Sequence, residues 1–139
     1  MKTKKGKFGN RIEYRLNIKH LRRSANAEQS IRDLSESQGN PDILIIAAQF
    51  GMRHRGRSVR RVRALMDSGE FGLSTFAICC MLLTHPERLR QDNDLCIDCA
   101  GDEFRWEADA EFSEALFMSY DKCNAVSYTH LTLPTNREV

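Results

Sequence analysis

The stretch Phe71–Leu83 most constrains the fold, because thirteen consecutive residues carry no charged side chain. A helix built from them is apolar on nearly every side, and such a helix has to lie beneath other elements. It is much shorter than the roughly 20 residues that span a bilayer. The sequence therefore predicts a buried helix at the centre of a small domain, and no membrane partner.

Composition supports one globular domain. The 139 residues are 41% apolar and 29% charged, which is ordinary for a globular chain. We expect a disordered basic arm at residues 1–10 and a single α+β domain over residues 11–124. The lysine-rich start lacks the apolar run of a secretory signal. Five cysteines, an odd number that includes the adjacent Cys79 and Cys80, fit reduced thiols and a cytoplasmic protein.

Local patterns predict the elements around the buried helix. Strict alternation of apolar and polar residues in Arg11–Ile18 predicts a half-buried N-terminal strand. Caps and breakers predict helices at residues 27–37, 42–50 and 59–67, and a helical turn at residues 84–90. Residues 43–46 are also compatible with a buried strand, since short apolar runs do not separate the two states. Short antiparallel strands are predicted at residues 95–97, 104–108 and 115–120.

The C-terminal tail has an unusual resemblance. Residues 126–135 read Val-Ser-Tyr-Thr-His-Leu-Thr-Leu-Pro-Thr and resemble the translation of the transposon-end adapter used in preparing short-read sequencing libraries. The resemblance implies that residues 125–139 are a non-native tail and that the domain is truncated near Asn124. The alternative is a genuine C-terminal strand, because these residue types suit one.

The strongest functional signal is the segment Arg53–Arg63, which holds six arginines in eleven residues. Guanidinium groups bind phosphates and guanine edges in a bidentate manner. Helix 42–50, a connector and helix 59–67 also resemble a helix-turn-helix, although the seven-residue connector exceeds the usual tight turn. We therefore expect a non-enzymatic binding or regulatory module whose partner is nucleic acid or an acidic protein. The candidate anion-binding residues are Arg53, Arg55, Arg57, Arg60, Arg61 and Arg63.

The charge distribution supplies an alternative. Residues 1–63 carry 16 basic and 5 acidic side chains, whereas residues 64–124 carry 4 basic and 13 acidic ones. The two halves could neutralise each other, with the arginines pairing to Glu107, Glu111 or Glu114. The protein would then be a structural or interaction domain with self-complementary halves.

A cysteine and carboxylate cluster is the third candidate. Cys96 and Cys99 form a lone C-x-x-C, without the second ligand pair that makes a zinc site specific. Asp98, Asp102 and Glu103 surround a glycine turn and could hold a cation or act in catalysis, but their spacing does not fit an EF-hand. Residues 95–104 also loosely resemble a segment of small bacterial proteins of unknown function, which implies no role for any residue. We expect no cofactor, and we regard an enzyme as the weakest of the three hypotheses.

Overall fold

The protein has an α+β fold. The structure, a computed structural model, describes residues 7–10, 15–90, 94–121 and 124–131. Three α-helices and six strands occur within these residues, together with 3-10 turns at Met52–His54 and Pro86–Arg88. In chain order they are β1 (Lys7–Asn10), β2 (Leu21–Arg23), α1 (Ala25–Ser37), α2 (Val59–Leu65), α3 (Thr75–Thr84), β3 (Ile97–Asp98), β4 (Asp102–Phe104), β5 (Glu114–Asp121) and β6 (Asn124–Leu131).

One sheet contains all six strands. Their order is β1-β6-β5-β4-β2, and β3 pairs with β5 beside this path. The pairing is antiparallel except between β1 and β6, which run parallel. The predicted C-terminal antiparallel set is thus present, with β3 and β4 displaced from the predicted ranges by a few residues. Within the described residues, no helix is long and apolar enough to cross a membrane.

The core lies between the sheet and α3. Ile78 of α3 packs with strand residues Ile97, Phe104, Leu116 and Met118, all of them almost fully buried. Leu116 and Met118 are two residues apart on β5 and therefore lie on the same face of the sheet, the one that packs against Ile78.

Helix α3 is less buried than its sequence predicts. Thr75 and Ile78 face the sheet, whereas Phe76 is 78% and Leu83 is 81% exposed. The prediction of a helix covered on all sides is therefore wrong. The sheet covers one side of α3, and these two apolar side chains project away from that contact.

The predicted strand Arg11–Ile18 is wrong over the part that the structure describes. Residues 11–14 lie outside the described residues, and residues 15–18 are not in a strand. Asn17 diverts the chain: its side-chain Oδ1 accepts a hydrogen bond from the Lys19 N–H, and its carbonyl accepts from the Leu21 N–H at 2.9 Å. Turn chemistry at this asparagine overrides the apolar alternation. Strands instead form at Lys7–Asn10, within the segment expected to be disordered, and at Leu21–Arg23.

The predicted helix Asp42–Phe50 does not form, and neither does a strand there. The side-chain amide of Gln38 donates to the Ile45 carbonyl at 2.8 Å and accepts from the Ile45 N–H at 3.1 Å. These are the backbone groups that a helix would pair internally. After the end of α1, Gly39, with φ of 80°, and Asn40, with φ of 54°, adopt left-handed backbone conformations.

The other predicted helices are confirmed. Ser24 caps α1, and Ser58 caps α2 by accepting from the Arg61 N–H at 3.3 Å. Pro86 occupies the first turn of the predicted helical turn. Strand β6 includes the first residues of the expected non-native tail, and it pairs with β5 over eight residues. Strand-forming residues of any origin can pair in this way, so the adapter resemblance stays a prediction.

Candidate functional site

The arginine segment Arg53–Arg63 is carried by two structural elements. The first is the 3-10 turn Met52–His54, and the second is α2, whose Val59 and Val62 are buried against the domain. Residues 42–50 form no helix, so the first helix of the expected helix-turn-helix is missing and that resemblance is wrong.

Arg53 is neutralised within the protein. Its Nη2 lies 2.7 Å from the Asp67 carboxylate, and its Nη1 is bonded to Glu70. The hydrogen bond to Asp67, and then the negative charge of Glu70, raise the pKa of Arg53 above its ordinary value. This arginine fastens the 3-10 turn to the loop after α2, and it offers little charge to a ligand.

Arg63 also points inward, although the sequence pattern places it among the candidate anion-binding arginines. Its Nε donates to the Ala100 carbonyl at 3.0 Å and its Nη2 donates to the Asp102 carbonyl at 2.6 Å. Burial lowers the pKa of Arg63, while Glu103 and Asp102 oppose that effect. Arg63 therefore joins α2 to the turn before β4.

The other four candidate arginines are exposed: Arg55, Arg57, Arg60 and Arg61. Within the described part of the chain, none of them forms an ion pair; Arg57 contacts the His54 Nδ1 at 3.2 Å. Within the described residues, the acidic partners suggested by the charge pattern, Glu107, Glu111 and Glu114, form no ion pair with these four arginines. Glu107 lies 3.9 Å from Arg15, and Glu114 is buried. The structure thus leaves four solvent-facing cations on one supported segment.

The carboxylate cluster has structural contacts. The Asp102 carboxylate is buried and accepts the Thr75 N–H at 2.6 Å, which caps the N-terminus of α3. Glu103 pairs with Arg22 at 2.8 Å. Asp98 lies in β3 and pairs in register with Phe117.

The two cysteines differ in exposure. Cys99 is fully buried and Cys96 is exposed. Burial raises the pKa of both thiols, which disfavours the thiolate form. Among the described residues, no group of three or more His, Cys, Asp or Glu side chains is placed to hold a metal ion.

A cleft of about 470 Å³ adjoins the arginine segment. Its walls come from residues 46–52 and 54–57, α2, residues 69–73 and residues 95–98. Arg55 and Arg57 line it together with Arg88, which follows Pro86 in the second 3-10 turn. Sequence reasoning missed Arg88, since nothing in the pattern around Pro86 indicates that this side chain faces the arginine segment.

No family model, curated protein or solved structure matches the chain. The geometry above is therefore the basis for assigning a function.

Proposed function

We propose that the protein is a cytoplasmic, non-enzymatic binding module that contacts the phosphate backbone of nucleic acid through Arg55, Arg57, Arg60 and Arg61. The supporting observation is that these four guanidinium groups are exposed and lack carboxylate partners within the described residues. Arginine forks suit phosphate oxygens, and backbone contacts need no base-specific geometry.

The helix that carries Arg60 and Arg61 is held in place by the rest of the domain. Buried Val59 and Val62 fix the inner face of α2. Arg63 fastens the same helix to two carbonyl groups across the domain. Arg60 and Arg61 therefore project from a helix whose position is set, which lowers the entropy lost when a phosphate binds.

A salt titration tests the proposal. The full chain is titrated with a duplex of mixed sequence at several salt concentrations, and fluorescence anisotropy gives Kd. Each phosphate contact contributes a slope of about −0.9 to log K against log salt, so four arginines predict a slope of roughly −3 to −4. The double variant Arg60→Ala/Arg61→Ala should weaken binding and bring the slope closer to zero by about two.

Arg32→Ala is the matched control, because Arg32 is an exposed helical arginine on α1, outside the segment. It should leave the slope unchanged. Affinity that does not depend on salt, or a double variant that binds like the wild type, would exclude the proposal. Tighter binding of a polyglutamate peptide than of DNA at equal ionic strength would assign the surface to an acidic protein partner instead.

A further inference from the structure

The cleft beside the arginine segment combines an apolar wall with cationic groups. Apolar side chains line it: Val59, Val62, Ile78 and Ile97 are almost fully buried, whereas Ile46, Met52 and Leu95 are 42%, 50% and 38% exposed. Its volume of about 470 Å³ lies within the range of roughly 300–1,000 Å³ that is usual for small-molecule sites. The cleft can therefore enclose an organic molecule and is larger than a single ion requires.

The charged groups of the cleft favour an anion. Arg55, Arg57 and Arg88 line it, against two carboxylates, Glu70 and Asp98. Glu70 is already bonded to Arg53, which lies just outside the lining. The balance around the cleft is therefore cationic.

Arg88 provides a specific indication. Its Nη1 donates to the Leu95 carbonyl at 3.3 Å, and its guanidinium lies 6.0 Å from the centre of the Phe50 ring. Its Nε is buried and has no hydrogen-bond partner within the described residues. A buried guanidinium N–H without an acceptor is unfavourable, and a shift of the Arg88 side chain toward an anion in the cleft would provide one.

We infer that this cleft is a binding site for a small organic anion, a phosphate or carboxylate carrying an apolar body, with the anion at Arg88 and the body against Ile46, Met52 and Leu95. A neutral apolar ligand would leave the Arg88 Nε unpaired. Inorganic phosphate would leave the apolar wall uncovered.

The site differs from the proposed nucleic-acid surface, although the two are adjacent. Arg60 and Arg61 do not line the cleft, and Arg88 lies outside the arginine segment. Substitutions at these positions therefore separate the two functions. Arg55 and Arg57 belong both to the cleft and to the proposed nucleic-acid surface, so substitutions there would not separate the two functions.

A chain-length series tests the inference. Ethyl, butyl, hexyl and octyl phosphate are titrated into the full chain by isothermal calorimetry, with inorganic phosphate and 1-octanol as comparison ligands. Burial of a methylene group should tighten Kd about fourfold per added carbon until the cleft is filled. Octanol should bind at least tenfold more weakly than octyl phosphate, and inorganic phosphate should bind more weakly still. The corresponding alkyl carboxylates then show which anionic group is preferred.

Two variants locate the site. Arg88→Gln should weaken octyl phosphate binding at least tenfold, whereas the matched Arg32→Gln should leave it unchanged. Met66→Trp, in the cleft wall immediately after α2, should shorten the chain length at which affinity stops rising. Circular dichroism and Tm establish that each variant is folded, and Met66→Trp keeps the test decisive if Arg88→Gln is not.

A Kd that does not depend on chain length, or a folded Arg88→Gln that binds octyl phosphate like the wild type, would overturn the inference. Either result would leave the nucleic-acid proposal intact, because that proposal is tested at Arg60 and Arg61, which do not line the cleft. The converse result is DNA binding that does not depend on salt, together with a Kd for alkyl phosphates that falls steeply with chain length. It would support the cleft as a ligand site and exclude the nucleic-acid proposal.

Discussion

Two loops of this protein differ sharply in how they are held, the turn before β4 and the segment between α1 and α2. In the turn, the Gly101 N–H donates to the Leu73 carbonyl at 3.0 Å and the Gly101 carbonyl accepts from the Ser24 N–H at 2.8 Å. Arg63 and the N-terminus of α3 are attached to the same turn through Ala100 and Asp102. Three helices therefore meet at a few consecutive residues.

Most residues of the segment 41–51 are exposed to solvent. Ile43 is 79% and Ile45 is 80% exposed, and Phe50 reaches the edge of the core. Its backbone is held at Ile45 by one side chain, that of Gln38. The comparison shows that apolar composition does not decide which loop organises the domain; main-chain contacts between distant residues do.

The largest expected effect is at the glycine contact of the turn. A Cβ on Gly101 would lie 2.2 Å from the Gly72 carbonyl oxygen, and a Cβ on Gly72 would lie 2.3 Å from the Ala100 carbonyl carbon. Because the obstructing atoms are backbone, Gly101→Ala should cost more than about 3 kcal/mol or prevent folding. Urea unfolding monitored by circular dichroism measures it.

Gly39→Ala is the control for that substitution. Gly39 has φ of 80°, and no atom lies within 4 Å of the position that a Cβ would take there, so only its left-handed backbone conformation opposes alanine. The expected cost is about 1 kcal/mol. Equal costs at Gly39 and Gly101 would show that the close approach of the two backbone segments does not limit stability.

The second-largest expected effect is a difference in stability between alanine substitutions of two arginines on α2. Arg63→Ala removes two hydrogen bonds to carbonyl groups of the turn and should lower the free energy of unfolding by about 2 kcal/mol. Arg60→Ala changes an exposed side chain without an ion pair in the described residues, and should stay within about 0.5 kcal/mol of the wild type. Thermal unfolding at one salt concentration compares them, and similar losses for both would contradict the inward role of Arg63.

These two regions also show how far the sequence predicts the structure. Helix α2 was predictable because its signals are local, a serine cap followed by apolar residues three apart. The helix at residues 42–50 was not, because Gln38 captures both backbone groups of Ile45 from outside the apolar run. Local periodicity contains no information about such a contact.

The candidate site divides in the same way. The six-arginine segment is visible in the sequence, and four of its members are exposed and form no ion pair within the described residues. The inward turn of Arg63 depends on carbonyl groups far along the chain, at Ala100 and Asp102. The place of Arg88 in the cleft depends on how its 3-10 turn packs against Phe50. Neither could follow from residue type and spacing.

The smallest expected effect is in the exposed segment. Ile45→Ala should change stability by no more than about 0.5 kcal/mol, because little apolar surface is lost from the interior. Ile97→Ala is the matched substitution at a residue that is 2% exposed, and it should cost about 2–5 kcal/mol. Chemical denaturation measures both, with octyl phosphate absent so that ligand binding does not contribute. A cost at Ile45 comparable to that at Ile97 would mean that the segment is covered in solution.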